Sequence, residues 1–449
     1  MSFRLISRGF IVAAAFALAL PVVASAQTSR VEGMTLQGDY LKDYSNIYSY
    51  PSQLSNVGSL VYGELGTTIT NPNAKPTGSP ETLDRSVGVV LSNLWDGQWG
   101  TWAINMSEET PQLGQGDALG QSAPGDYGTD PNRNQNQSFD VMWGKKFGTS
   151  SLGLRVNRSF YQAEDQVPGI TTRLELDPNG PGARGDNLSR NIIGLGGGLG
   201  FEMNPRTNAE FALLYQSRTF ENSVSAPVNK QEDDGPSTYV FSARMMWEYQ
   251  PNWMIMPVFK WYSYDLSAKS TVGATVNSFD NSLKGWQVGA SSNWTLGAND
   301  LLVVGVTVAQ NQVEQEQLLF AAPTYPGGGV GVAHAFNGGL ATKITETFAP
   351  QVFAALETHV NNWLTLRFGA NKGAFHTVKA EGLSTLAGNP PLTQEVSDSP
   401  FEMRIGAGVK LGTLQLDAIL NDIYPHTLGW LGSGLPGVYF PKVTATYAF

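Results

Sequence analysis

Apolar and polar residues alternate with a period of two along most of the chain. Between Thr238 and Tyr249, Tyr239, Phe241, Ala243, Met245, Trp247 and Tyr249 share one face, and Ser242, Arg244 and Glu248 share the other. Trp253, Ile255, Pro257, Phe259 and Trp261 stand opposite Lys260. Leu364, Leu366 and Phe368 stand opposite Thr365 and Arg367, and Met403, Ile405, Ala407, Val409 and Leu411 opposite Glu402, Arg404 and Lys410. Successive side chains of a strand point to opposite faces, and a helical period of 3.6 fits none of these runs. Each run therefore predicts a strand with one apolar and one polar face. The last stretch does the same, with Tyr439, Pro441, Val443, Ala445, Tyr447 and Phe449 on one side and Lys442, Thr444 and Thr446 on the other. Pro257, Pro350 and Pro441 fall inside predicted strands, where the missing N–H predicts a bend or a shorter strand.

The connections alternate as well. Tight ones are predicted near Asp96-Gly97, Gly148-Thr149, Asn204-Pro205, Pro251-Asn252, Gly297 to Asn299, Asn361-Asn362 and Gly412. Long ones are predicted over 72–84, 108–136, 163–187, 221–236, 268–280, 316–341, 378–398 and 424–436. Short turns at one end and long loops at the other are the pattern of a membrane-spanning barrel. The expected fold is all-β: a transmembrane antiparallel β-barrel of about sixteen strands, with fourteen as the alternative. Composition agrees. Aromatic residues make up 11% of the 449 residues and charged residues 15%, against about 25% charged in a soluble domain. The mean hydropathy is only -0.17 because alternation disperses the apolar residues.

The final strand, with its aromatic alternation and terminal Phe449, resembles the closing strand of bacterial outer-membrane β-barrels. The resemblance implies a place in the bacterial outer membrane with its lipid as partner. It also implies that Tyr447 and Phe449 act as an assembly signal read by the barrel-assembly machinery. Residues 1–26 read as a secretory signal: Arg4 and Arg8 precede the apolar run Phe10 to Val23, and Ala24-Ser25-Ala26 has the form of a cleavage site. Residues 27–58 are polar and lack alternation, which predicts a periplasmic or plug segment ahead of a barrel over 59–449. Within it, Asp43, Ile47, Pro51 and Leu54 follow an order similar to the N-terminal hatch of outer-membrane long-chain fatty-acid transporters. Tyr50-Pro51-Ser52 stands where that family has Asn-Pro-Ala. Barrels of that family usually have fourteen strands, so fourteen strands with a plug would favour it. Sixteen-stranded porins commonly form trimers, and a homotrimer is expected by that resemblance.

Alternation places Asp140, Arg155, Glu202, Glu210, Arg218, Arg244, Glu248, Lys260, Glu357, Arg367, Glu402, Arg404, Lys410, Asp417 and Lys442 on the lumenal face as pore-lining candidates. Such charges persist in a barrel only when water fills it or when they pair across it. Rings of charge would tune ion selectivity, and salt-bridge networks would merely stiffen the wall. Trp247, Tyr249 and Trp253 flank a short turn, as an interfacial girdle requires.

Other chemistry is thin. Cysteine is absent, which excludes disulfides and thiolate sites. His334, His359, His376 and His426 lack metal-ligand spacing. Asp126, Asp130, Asn132 and Asn134 lack the complete calcium-loop pattern. Gly194, Gly196, Gly198 and Gly200 share a strand face and read as small lumenal residues, since no phosphate-loop lysine follows. No cofactor and no metal is expected. A net charge of -10 without a basic stripe argues against a nucleic-acid partner. An enzyme is not expected either: an outer-membrane phospholipase would need a Ser–His pair on the lipid face. The leading expectation is a passive channel for small polar solutes or ions, narrowed by loop 108–136. The alternatives are a plugged barrel that takes up hydrophobic compounds, and a structural or loop-binding barrel.

Overall fold

The computed structural model describes residues 28–66, 84–107 apart from 93 and 95, 138–164, 187–315 apart from 226, 227, 236, 266 and 298, 343–383, 392–420 and 442–449. The expected signal, 1–26, lies outside the described residues, as do 108–136, 316–341 and 424–436. The strands run in order as β1 (Leu60–Gly66), β2 (Asp84–Leu91), β3 (Thr101–Ser107), β4 (Ser138–Phe147), β5 (Ser150–Glu164), β6 (Asn187–Asn204) and β7 (Thr207–Ser225). They continue as β8 (Val228–Asp233), β9 (Ser237–Gln250), β10 (Trp253–Asp265), β11 (Ala268–Val272), β12 (Thr275–Phe279), β13 (Asn281–Leu296) and β14 (Asp300–Gln315). The last are β15 (Lys343–His359), β16 (Leu364–Gly373), β17 (His376–Leu383), β18 (Leu392–Asp398), β19 (Phe401–Leu411), β20 (Leu414–Leu420) and β21 (Lys442–Ala448).

All strand pairs are antiparallel, and 16 strands close the wall: β1 to β7, β9, β10, β13 to β16 and β19 to β21. β21 pairs with β1 from Leu60↔Ala448 to Gly66↔Lys442, so the last strand returns to the first. A closed sheet is what hydrocarbon requires, because an open edge would leave amides unpaired.

The remaining strands prolong the wall. β11 and β12 extend the β10–β13 hairpin in one register, Asp265↔Ser282 being followed by Ala268↔Phe279. β8 bridges β7 and β11, and β17 and β18 prolong β16 and β19 beyond breaks at 374–375 and 399–400. This corrects the expectation of long loops at 221–236, 268–280 and 378–398, which are largely strand. The physical reason is that backbone pairing continues where apolar alternation stops. There the sheet carries ion pairs such as Lys230–Glu221 at 3.2 Å and Lys379–Glu381 at 2.7 Å instead of lipid-facing residues. Pro257 and Pro350 interrupt the ladder, while Pro441 lies outside the described residues. Between Ile255↔Trp247 and Val258↔Arg244 the β10–β9 ladder skips Met256 and Pro257, and β15 shifts register near Pro350.

The outward face is apolar: Leu154, Leu199, Phe211, Phe259, Trp286 and Val306 are all exposed along the belt. At the short-turn end Trp247, Tyr249 and Trp253 also face outward or half outward, with ring centroids 5.4 and 4.8 Å apart in turn. Amphipathic rings at that level suit a lipid–water interface. Tyr447 and Phe449 are exposed on the same outer surface. Leu199→Arg puts a charge on the lipid-facing belt and is expected to destabilise the folded barrel by about 2–4 kcal/mol. Urea titration of the vesicle-folded protein measures this.

Candidate functional site

Residues 28–57 occupy the inside of the barrel. They form a short helix, α1 (Thr28–Glu32), and three 3-10 turns at Gly38–Tyr40, Tyr44–Tyr48 and Pro51–Asn56. With neither strand nor helix periodicity, their backbone is held locally. The Asp43 carboxylate accepts from the Ser45 N–H at 2.9 Å to start the second turn, and Pro51 starts the third. From Ser29 to Leu54 nearly every residue is buried, Lys42 being exposed.

The wall makes room for this segment with glycines. A Cβ on Gly153 of β5 would lie 2.0 Å from the Pro51 carbonyl carbon, and one on Gly369 of β16 only 1.7 Å from the Met34 oxygen. Gly198 and Gly200, two of the glycines read as small lumenal residues, face Pro51 and Ser52. Two apolar clusters fill the remaining space. Val31, Met34, Leu36, Tyr40 and Leu41 pack on Val258, Val303, Phe353 and Ala355. Tyr44, Ile47, Tyr48 and Leu54 pack on Leu60, Tyr62, Val90, Ala103 and Met142. Asp43, Ile47, Pro51 and Leu54, the residues that carry the hatch resemblance, are all buried here.

Charges join plug to wall around most of the circumference. Arg30 donates twice to Glu357, at 2.8 Å each, and once to Asp43 at 2.8 Å. Glu357 also accepts from Arg367 at 2.6 Å, and Arg367 pairs with Asp417. Lys260 meets Asp39 at 2.7 Å. Arg155 pairs with Asp140 at 2.6 Å and donates to the Tyr48 carbonyl at 2.9 Å. Arg244 pairs with Glu210 at 2.7 Å, lies over the Tyr50 ring at 4.3 Å, and donates to the carbonyls of Asp39 and Leu41 at 3.3 Å. Burial works against the Arg30 charge, but Glu357 and Asp43 outweigh it and hold the guanidinium above its ordinary range. Burial pushes the Tyr40 phenol up to about 12, so it stays a neutral donor to Thr307 at 3.3 Å.

On the long-loop side of these pairs the lining changes. Leu214, Val240, Tyr262, Tyr264 and Leu283 form a buried inward cluster with Val313 beside it. Tyr262 donates to Asn311, and Gln216 donates to Asn157 at 3.3 Å.

The pore-lining candidates divide by position. Asp140, Arg155, Glu210, Arg244, Lys260, Glu357, Arg367, Asp417 and Lys442 are buried, and ion pairs link them to one another or to the plug. Arg218 is buried beyond the plug and pairs with Asp233 at 3.2 Å. Glu402 and Arg404 are half-buried and pair with each other at 2.6 Å. Glu202 and Lys410 are exposed near short turns, and Glu248 is half-buried there. Sequence reasoning did not single out Arg30, Glu32, Asp39, Tyr40, Tyr44, Tyr48 and Glu64. For those in the N-terminal segment the signal is charge and tyrosine concentrated in a stretch without alternation, and for Glu64 it is the alternation of β1 with outward Val61 and Leu65. Among the described histidines, His376 contacts Glu346 at 2.8 Å and Asp398.

No family model and no curated protein matches the chain. Solved structures similar to it are membrane barrels of low identity. The Pseudomonas putida toluene transporter TodX shows 9% identity and a TM-score of 0.38, over 95% of this chain and 98% of that one. A Pseudomonas aeruginosa FadL homologue shows 8% identity and a TM-score of 0.43, over 95% and 99%. BauA, the ferric preacinetobactin receptor of Acinetobacter baumannii, shows 10% identity and 0.40, over 81% and 53%. At these scores the likeness carries no argument about function.

Two substitutions test the site. Gly153→Ala is expected to expel the Pro51 turn and expose the plug to protease. Gly197→Ala, with nothing within 4 Å of its Cβ, is expected to leave it protected. Glu357→Gln leaves Arg30 and Arg367 short of a charged partner and is expected to cost about 3 kcal/mol. The temperature at which the folded band is lost on unheated-versus-heated gels reports it.

Proposed function

We propose that the chain is an outer-membrane channel for hydrophobic compounds, with residues 28–57 as its plug. The observation that carries this reading is the sequence of linings along the lumen. An apolar and aromatic collar of Leu214, Val240, Tyr262, Tyr264 and Leu283 lies on the long-loop side, and a packed plug closes the short-turn side. A pore for polar solutes needs charges facing water, whereas here most lumenal charges are engaged by each other or by the plug. Such a site is mostly apolar with few polar groups, as binding sites for apolar molecules are. The two sequence criteria part company: sixteen strands is the porin number, while the plug belongs to the hydrophobic-compound alternative. We give the plug more weight, because it decides what can pass and strand number does not. Toluene and long-chain fatty acids bracket the size range to be tried first.

The test is uptake by cells with an intact lipopolysaccharide layer, alongside planar-bilayer recording. Expression is expected to raise entry of a monoaromatic hydrocarbon or a fatty acid and to leave entry of a small sugar unchanged. The intact protein is expected to give no stable ohmic steps. Steady ohmic conductance with sugar uptake would restore the open-pore reading.

A further inference from the structure

We propose that the plug also templates barrel closure, holding the last strand and presenting it to the first. Most wall strands pair with partners adjacent or near in sequence, at a modest cost in loop entropy. The β1–β21 pair instead joins Leu60 to Ala448, across almost the whole folded chain. Contacts of such sequence separation are the slow ones in folding.

The inner side of that seam is held by the plug. Besides Ala448, β21 turns three polar side chains inward, Lys442, Thr444 and Thr446, all buried. Each meets a different plug residue: Lys442 donates to Glu32 at 2.9 Å, Thr444 meets the Ser29 hydroxyl at 2.5 Å, and Thr446 meets the Tyr44 hydroxyl at 3.1 Å. The plug grips β1 too. The Tyr48 and Tyr62 hydroxyls lie 2.5 Å apart, and the Tyr44 and Tyr62 rings 6.0 Å. Lys442 ties the two sides together, since it also pairs with Glu64 of β1. Arg30 extends the grip to the preceding strands through Glu357, Arg367 and Asp417. The plug is continuous with β1 through Val57 to Ser59, so a β21 bound to the plug is already at high effective concentration beside β1. Closure then becomes a local event. The proposal does not depend on what the barrel carries.

The test is refolding of the urea-unfolded full chain into dilauroylphosphatidylcholine vesicles, followed by the mobility of unheated samples. The triple variant Ser29→Ala, Glu32→Ala, Tyr44→Phe removes the three plug bonds to β21. The pair Asp39→Asn, Tyr40→Phe removes plug bonds to β10, β13 and β14. Interactions present in the transition state change the folding rate, and later ones change the unfolding rate. The triple variant is expected to fold about tenfold more slowly, and the pair mainly to unfold faster. Equal folding rates for the triple variant and the parent would overturn the proposal. A triple variant that never folds passes the decision to order of events. The natural chain has no cysteine, so Ser29→Cys with Thr444→Cys gives a single reporter pair. Under mild oxidation the 29–444 crosslink is expected in chains that have not yet shifted to the folded band. A crosslink found in shifted chains alone would mean that the plug docks after closure, and the proposal would fail.

Discussion

A strand in hydrocarbon cannot leave its edge unpaired, so everything here depends on β21 finding β1. Once the sheet closes, alternation sorts every side chain into lipid or lumen. The outer set is apolar and costs nothing to leave in lipid. The inner set carries arginines, lysines and carboxylates that water or a partner must satisfy. Wall residues satisfy part of this set among themselves, and residues 28–57 supply the remaining charges and carbonyls from inside.

Packing and pairing divide the labour of holding the plug. The two apolar clusters around Tyr40 and Ile47 bury the area that favours docking. The ion pairs fix where it docks. A buried pair gains little over an apolar substitute, yet is costly to break by removing one partner. Lys260 with Asp39, and Arg30 with Glu357, therefore define one seating and penalise others. Glycines opposite Pro51 and Met34 act sterically to the same end, because any side chain there would collide with the plug backbone.

The wall was legible in the sequence because a period of two leaves no choice of face. Arg244, Lys260, Arg367 and Lys442 were assigned inward from their apolar neighbours alone, and each is buried in the lumen. Two things were not legible. The extensions β11, β12, β17 and β18 carry polar residues on both faces, and alternation cannot register a strand that has left the lipid. The plug contacts join residues hundreds of positions apart, as Ser29 with Thr444 do, through irregular backbone that has no period to read. Composition marks the segment as different without saying where it sits, so the sequence alone leaves the lumenal charges open to either water or pairing.

The most direct test of the plugged lumen is a crosslink between plug and wall in the native membrane. A Cβ on Gly200 of β6 would lie 3.7 Å from that of Ser52, within the range a disulfide spans. Ser52→Cys with Gly200→Cys should therefore oxidise almost completely in intact outer membranes and resist a water-soluble maleimide. Two free cysteines, both modified by the maleimide in the folded protein, would show that the segment does not sit in the lumen.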